Sequence, residues 1–291
     1  MLEDESGRLR LAGVFLSSQL LTTGCIIAVM GTENADGDFE VVDLRFADLP
    51  RQPERWERAD AAMTLSGEQV NAEARPASGK IAFVSGLGFS GEDGDVLALD
   101  MLSEYLLGES GGTNMQERTA QISRLIIAGG ALAPAPASVN LKANKDELMN
   151  GNSRKAARKY GYDASAYNPA PTEALDVFLS RILPSIPVTL MPGASDPANV
   201  SIPQQPLHPA LFPQARAYSA APNETKKDPG WFHCVTNPWQ ADVDGWRLLG
   251  NGGQPVEDIF RYVVGDDRLT IMEHMLRWRH GAPTAPDTLC K

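Results

Sequence analysis

Three apolar runs of this sequence end in small-residue loops: Ser85-Gly86-Leu87, Gly129-Gly130 and Gly193-Ala194-Ser195-Asp196. If the runs are parallel strands, those loops converge on the crevice where α/β sheets bind their ligands. Phosphoester cleavage by paired metal ions would need carboxylate and imidazole ligands at these tips. They offer instead Ser, Gly, Leu, Ala and one Asp. Gly and Leu supply no side-chain ligand. Asp196 precedes Pro197, a pair that initiates turns, so it reads as a turn or cap residue. The expectation is a crevice with no catalytic, cofactor-binding or metal-binding residue.

Other chemistry-bearing side chains do not fill the gap. The four histidines are scattered: His208 in a Pro-rich loop, His233 in a strand, and His274 and His280 on or just after the last helix. None has the His-x-x-x-His spacing that seats a metal on one helix face. Cys234 neighbours His233, but adjacent strand residues face opposite sides, so they form no nucleophile–base pair. Ser85 lacks the G-x-S-x-G elbow. Gly86, Gly88 and Gly91 do spell G-x-G-x-x-G after a strand, the pattern of a dinucleotide site. Such a site needs an acid about twenty residues on, at the end of a second strand. Glu104 falls instead within a helical stretch.

The elements that position these loops follow from periodicity. "RLRLAGVFL", "TTGCIIAVMG" and "FEVVDLRFADL" are strand-like runs rich in β-branched and aromatic residues, punctuated by Gly24, Gly31 and Asn34-Ala35-Asp36-Gly37. They make part of a small barrel or sandwich, too few to close one alone, and residues 51–79 read as a polar linker. From residue 80 strands and helices alternate. "KIAFVSG", "SRLIIAGG" and "PVTLMPG" look like buried parallel strands. Val96 to Leu107 and "TEALDVFLSRIL" have helical spacing. "FHCVTNP" and "GWRLLG" follow, then a helix after Pro255 and another from Asp267 to Arg279, before Pro283 and Pro286 end regular structure. This alternation predicts α/β layering.

Composition narrows the class. The chain has 291 residues, 43% hydrophobic and 22% charged, enough for two domains. Three cysteines without a CxxC pair suit a reducing compartment. The acidic start MLEDESGRLRL is no secretory signal. The longest apolar run, Gly24 to Met30, is too short to span a bilayer. A net charge of −11 makes a poor stand-alone nucleic-acid binder, because binding relies on Lys and Arg neutralising phosphates. One basic segment, Lys142, Lys145, Arg154, Lys155, Arg158 and Lys159, reads either as a solvated surface or as a local contact for DNA. A protein partner is expected, with DNA contact indirect or weak. Trp231, Trp239, Trp246 and Trp278 are candidates for interface anchors or for core packing.

The runs "MPGASDPANVSIPQQPLHPALFPQA", "VTNPWQADVDGWRLLGNGGQPVEDIFRY" and "LRWRHGAPTAPDTL" resemble the small (B) subunits of DNA polymerase delta. The motifs "PQQPLHP" and "RHGAPTAPDTL" set that group apart from its alpha and epsilon relatives. The resemblance covers nearly the whole chain, from Leu9 onward. It implies a partial OB-fold domain over residues 1–50, the linker over 51–79, and an inactive calcineurin-like phosphoesterase sandwich over 80–291. It also implies that the chain starts inside the barrel and stops before the family's last strands. Active phosphoesterases of that fold carry D-x-H, G-D, G-N-H-D and H-G ligand motifs. By resemblance these fall on Ser85-Gly86-Leu87, Gly129-Gly130, Gly193-Ala194-Ser195-Asp196 and Gly252-Gly253. The implied role is a nuclear, non-catalytic scaffold in DNA replication and repair. It would bind the C-terminal domain of the polymerase's catalytic subunit and a third accessory subunit. The alternative is an active metal-dependent phosphoesterase or nuclease.

Overall fold

The computed structural model describes residues 1–51, 79–91, 96–134, 168–219, 230–243, 246–265 and 267–290. The linker, apart from its two ends, and the basic segment lie outside the described residues. The architecture is mixed α/β.

The first run of the sequence does not stay one strand. It divides into β2 (Gly7–Leu9), which pairs with β1 (Leu2–Asp4), then β3 (Leu11–Ala12) and a short 3-10 turn over Val14–Ser18. Gly13, at φ 128°, turns the chain there in a conformation that side-chain-bearing residues rarely adopt. β4 (Ile27–Glu33) and β5 (Phe39–Phe46) form an antiparallel hairpin, and β3 joins β5 in parallel. The Asn34 carboxamide closes the hairpin turn by accepting from the Asp36 and Asp38 amides at 3.0 and 2.9 Å. Val41 and Leu44 are the buried residues of this sheet.

A four-stranded parallel sheet carries the crevice. Its order is β6 (Lys80–Val84), β7 (Ile122–Ala128), β8 (Val188–Met191), β9 (Phe232–Cys234). β7 and β8 are central, so both faces are covered and their sequences run continuously apolar. β6 reads as a buried strand in the sequence, but it lies at the edge. Phe83 on it is 62% exposed. Helices α1 (Val96–Leu107) and α3 (Ala170–Ile182) cover one face, packing Leu106, Leu175, Phe178 and Leu179 onto Leu125, Ile127, Val188 and Leu190. Each fully buried side chain of this size stabilises the fold by about 1.5–3 kcal/mol. α2 (Thr113–Thr119), a short polar helix, lies between α1 and β7. On the other face Gly250 lies against Met191, bringing in the hairpin of β10 (Trp239–Val243) and β11 (Trp246–Gly250).

α4 (Gln254–Phe260) and α5 (Arg268–Trp278) join the two parts. Asp267 caps α5 by accepting from the Leu269 amide at 2.9 Å. Ile259, Ile271, Met275 and Trp278 make a second core, against which Leu20, Cys25 and Phe46 of the N-terminal part pack. Arg279 follows α5 with φ 56° and donates to the Asp48 and Ala47 carbonyls at 2.6 and 3.1 Å. Thr284 and Thr288 both donate to the buried Asp258 carboxylate. The "RHGAPTAPDTL" run therefore clasps the N-terminal sheet to the α4–α5 pair.

Candidate functional site: a crevice closed by glycine

The strand-end loops do converge, and their backbones meet. The Gly86 and Gly88 amides donate to the Gly129 and Gly130 carbonyls, both at 3.1 Å, and Phe89 donates to Ala131 at 3.0 Å. The loop after β6 is thus zipped to the loop after β7, and the Gly-x-Gly amides a phosphate would need already have partners. The Ser85 hydroxyl donates to the Ala128 carbonyl at 3.0 Å.

Asp196 ties the loop after β8 into the same knot. One carboxylate oxygen accepts from the Gly193 amide at 2.7 Å and the Gly130 amide at 2.9 Å, and the other from the Leu132 amide at 2.8 Å. The side chain is buried. Three amide donors on a buried carboxylate are strong, charge-assisted bonds. Asp196 thus ties two distant loops together, where the sequence suggested a local turn or cap. Ser195 adds a bond from its hydroxyl to the Leu132 carbonyl at 2.7 Å.

Glycine is needed for closeness as well as for backbone angle. A Cβ on Gly193 would fall 2.6 Å from the Gly130 nitrogen and 2.9 Å from the Gly129 Cα. One on Gly130 would fall 3.2 Å from the Gly86 Cα, and one on Gly129 would fall 3.0 Å from the Gly193 Cα. Gly252 completes the set: its Cβ would meet Gly193 as well as the Gln254 and Asn237 side-chain amides. The four loops therefore touch backbone to backbone.

Sequence reasoning missed the polar part of this crevice. Asn237, fully buried, accepts from the Gly252 amide at 3.0 Å and donates to the Gln204 and Gln254 carbonyl oxygens at 2.8 and 3.0 Å. Gln254 also donates to Gln204 at 3.0 Å, and Gln204 donates to the Asn199 carbonyl at 2.9 Å. Neutral carboxamides, each donor and acceptor, can satisfy one another in a dry site at less cost than ions. The only sequence signal was an amide beside each proline in "PQQP", "TNP" and "GGQP".

The remaining candidates sit apart. His208 is exposed and accepts from the Ala210 amide through Nδ1, at 3.1 Å. His274 meets Phe46 edge-on, at an interplanar angle of 83°, and lies tilted against Trp278. His233 and Cys234 face opposite sides of β9. Burial pushes the Cys234 thiol up to about 12, while burial and then the Arg124 charge hold the His233 imidazole below its ordinary range. Trp278 is core, Trp231 is half exposed, Trp239 is partly buried, and the Trp246 side chain lies outside the described residues. Among the described residues, no group of three or more His, Cys, Asp or Glu could hold a metal ion. Among them, too, no helix is long and apolar enough to cross a membrane.

A parallel sheet whose strand-end loops are sealed by glycine, behind a small β-sheet, defines a class that comparison identifies. The chain belongs to the B-subunit family of DNA polymerases alpha and epsilon, whose pattern matches residues 81–291. Residues 1–44 match the OB-fold domain of the DNA polymerase delta subunit. Within that class the similarity is to delta small subunits. The chain is 34% identical to the DNA polymerase delta small subunit of Oryza sativa subsp. japonica, over 99% of this chain and 57% of that protein. Identity to the Arabidopsis thaliana small subunit is also 34%, over 99% of this chain and 56% of that one. For the Saccharomyces cerevisiae small subunit the figures are 33%, 99% and 55%. The chain thus spans a little over half the length of these curated relatives. The resemblance carried by "PQQPLHP" and "RHGAPTAPDTL" is borne out.

Proposed function

We propose that this chain is a non-catalytic scaffold of a DNA polymerase delta assembly in the nucleus. It holds the C-terminal domain of the catalytic subunit and a third accessory subunit. In this reading residues 1–50 are part of an OB-fold domain, 51–79 a linker, and 80–291 a calcineurin-like phosphoesterase sandwich that has lost its chemistry.

One observation supports the loss above all: the loops that would assemble a binuclear centre touch through glycine, with the Asp196 carboxylate already engaged by three amides. Gly130 stands at the position that the resemblance gives to the bridging aspartate, and even a methyl group there meets Gly86. The residues present do not fit a pair of cations. A fold without chemistry keeps its surface, and a net charge of −11 favours basic protein partners by complementarity.

The test is co-expression of the chain with the catalytic subunit's C-terminal domain, followed by affinity purification through that domain. A stable complex without manganese-dependent phosphodiester hydrolysis is expected. Failure to co-purify, or hydrolysis that disappears in Asp196→Ala, would overturn the reading.

A further inference from the structure

α1 is apolar on both sides. Leu99, Leu102 and Leu106 face the core, and Leu97, Met101 and Tyr105, spaced four apart, form a second stripe that is 74%, 59% and 42% exposed. A helix apolar all round belongs in an interior, yet among the described residues this one is covered on one side only. Beside the stripe, a groove of about 320 Å³ runs between α1 and α3, lined by Phe89, Val96, Leu99, Ala174, Val177 and Phe178. Asp100 and Arg181 are the charges that line it; Arg181 lies 3.4 Å from Asp100 and 3.5 Å from Glu109, and Glu104 is the second acid of α1. α1 itself carries two acids and no base. The surface is therefore an apolar stripe with an acidic edge.

We propose that this face of α1, with the α1–α3 groove, docks a basic amphipathic helix of a partner protein. Apolar side chains of that helix lie along Leu97, Met101 and Tyr105, and one enters the groove. Its Lys or Arg residues flank them and meet Asp100, Glu104 and Glu109. Helix-in-groove recognition uses this i, i+4 anchoring, and complementary rim charge fixes the register. The proposal names a surface and a partner chemistry that the scaffold reading leaves open, and it does not depend on the crevice.

The test places a photo-reactive benzoylphenylalanine at Met101, and as a control at Val200 on another surface, in the tagged chain expressed in its source cells. The assembly is irradiated and the cross-linked peptides are sequenced. A Lys- or Arg-rich helical peptide of another protein, captured at Met101 and not at Val200, is the expected result. Capture of a second copy of this chain, of its own residues 135–167, or of no peptide would overturn the proposal. With the captured partner, the double substitution Leu97→Asp and Met101→Asp should weaken binding by on the order of tenfold or more without lowering Tm. Glu104→Lys should weaken it and flatten its salt dependence. Unchanged binding in both variants would refute the docking mode. Should the captured partner be no polymerase subunit, this inference stands, and the function proposed above is decided separately by co-purification with the catalytic subunit's C-terminal domain.

Discussion

Gly193→Ala is the smallest perturbation that asks whether the crevice is closed. The added methyl would sit 2.6 Å from the Gly130 nitrogen and 2.9 Å from the Gly129 Cα, both backbone atoms that cannot swing aside. The loops must separate, and overpacking of this kind costs about 1–3 kcal/mol. Separation also stretches the bonds from the Gly193 and Gly130 amides to Asp196, now 2.7 and 2.9 Å. Hydrogen bonds to a charged group contribute about 1.5–3 kcal/mol each, so a partial loss adds roughly another 1–2. Restricting the unfolded chain returns about 0.4–1 kcal/mol. A net loss of about 2–4 kcal/mol follows, or roughly 5–15 °C in Tm for a domain of this size. Gly281→Ala is the control: no atom lies within 4 Å of its Cβ position, and it should be neutral or slightly stabilising. The assay is thermal and urea unfolding of both variants beside the parent chain. Should Gly193→Ala melt with the parent, the loops do not press on one another and the reasoning fails.

Three further outcomes follow from the same geometry. Asp196→Asn keeps the volume of the side chain but turns one acceptor into a donor facing amide N–H groups. It should cost about 2–4 kcal/mol in urea unfolding, and an unchanged midpoint would show that the three amides do not rely on the charge. The His233 imidazole is held below its ordinary range by burial and then by Arg124, and His274 by burial, with Arg277 also lowering it and Glu273 opposing. As pH falls below about 6.5 the unfolded chain takes up protons that the folded chain refuses, so stability decreases until the folded values are reached. Denaturation at about pH 7 and 5.5 should show that loss, held by solvent screening of these part-exposed rings well below the limiting slope of about 1.4 kcal/mol per pH unit for each histidine. His233→Gln should reduce it, and stability that rises on acidification would contradict the burial. Finally, Cys234, with its thiol pushed up to about 12, should alkylate far more slowly than the exposed Cys290. Equal labelling rates by peptide mapping would refute that.

What the sequence disclosed depended on whether its signal was local. β7 and β8 were legible because strands buried on both faces run continuously apolar, and α1 and α3 because their leucines repeat at helical spacing. α5 was legible at both ends, since Asp267 caps it and Pro283 follows soon after. β6 carries the same apolar run as its neighbours, so nothing in "KIAFV" marks it as the edge. α2 has little apolar periodicity in "TNMQERT", and no reading of spacing finds it. The residue types at the strand ends, Ser, Gly, Leu, Ala and one Asp, were visible one by one. The closure was not, because the approach of Gly193 to Gly129 and Gly130 is a contact between distant loops, and a glycine codon does not say which backbone will occupy the space. The Gln204–Asn237–Gln254 network escaped for the same reason: carboxamides carry no spacing rule until the fold brings them together.

Whether the crevice can hold cations is decided by metal analysis of the purified chain after dialysis against manganese and removal of the excess, with Asp196→Ala treated alongside. We expect no stoichiometric manganese in either protein and no change in Tm on adding the metal. Binuclear occupancy of the parent chain, lost in Asp196→Ala, would contradict the proposed loss of a metal centre from this crevice.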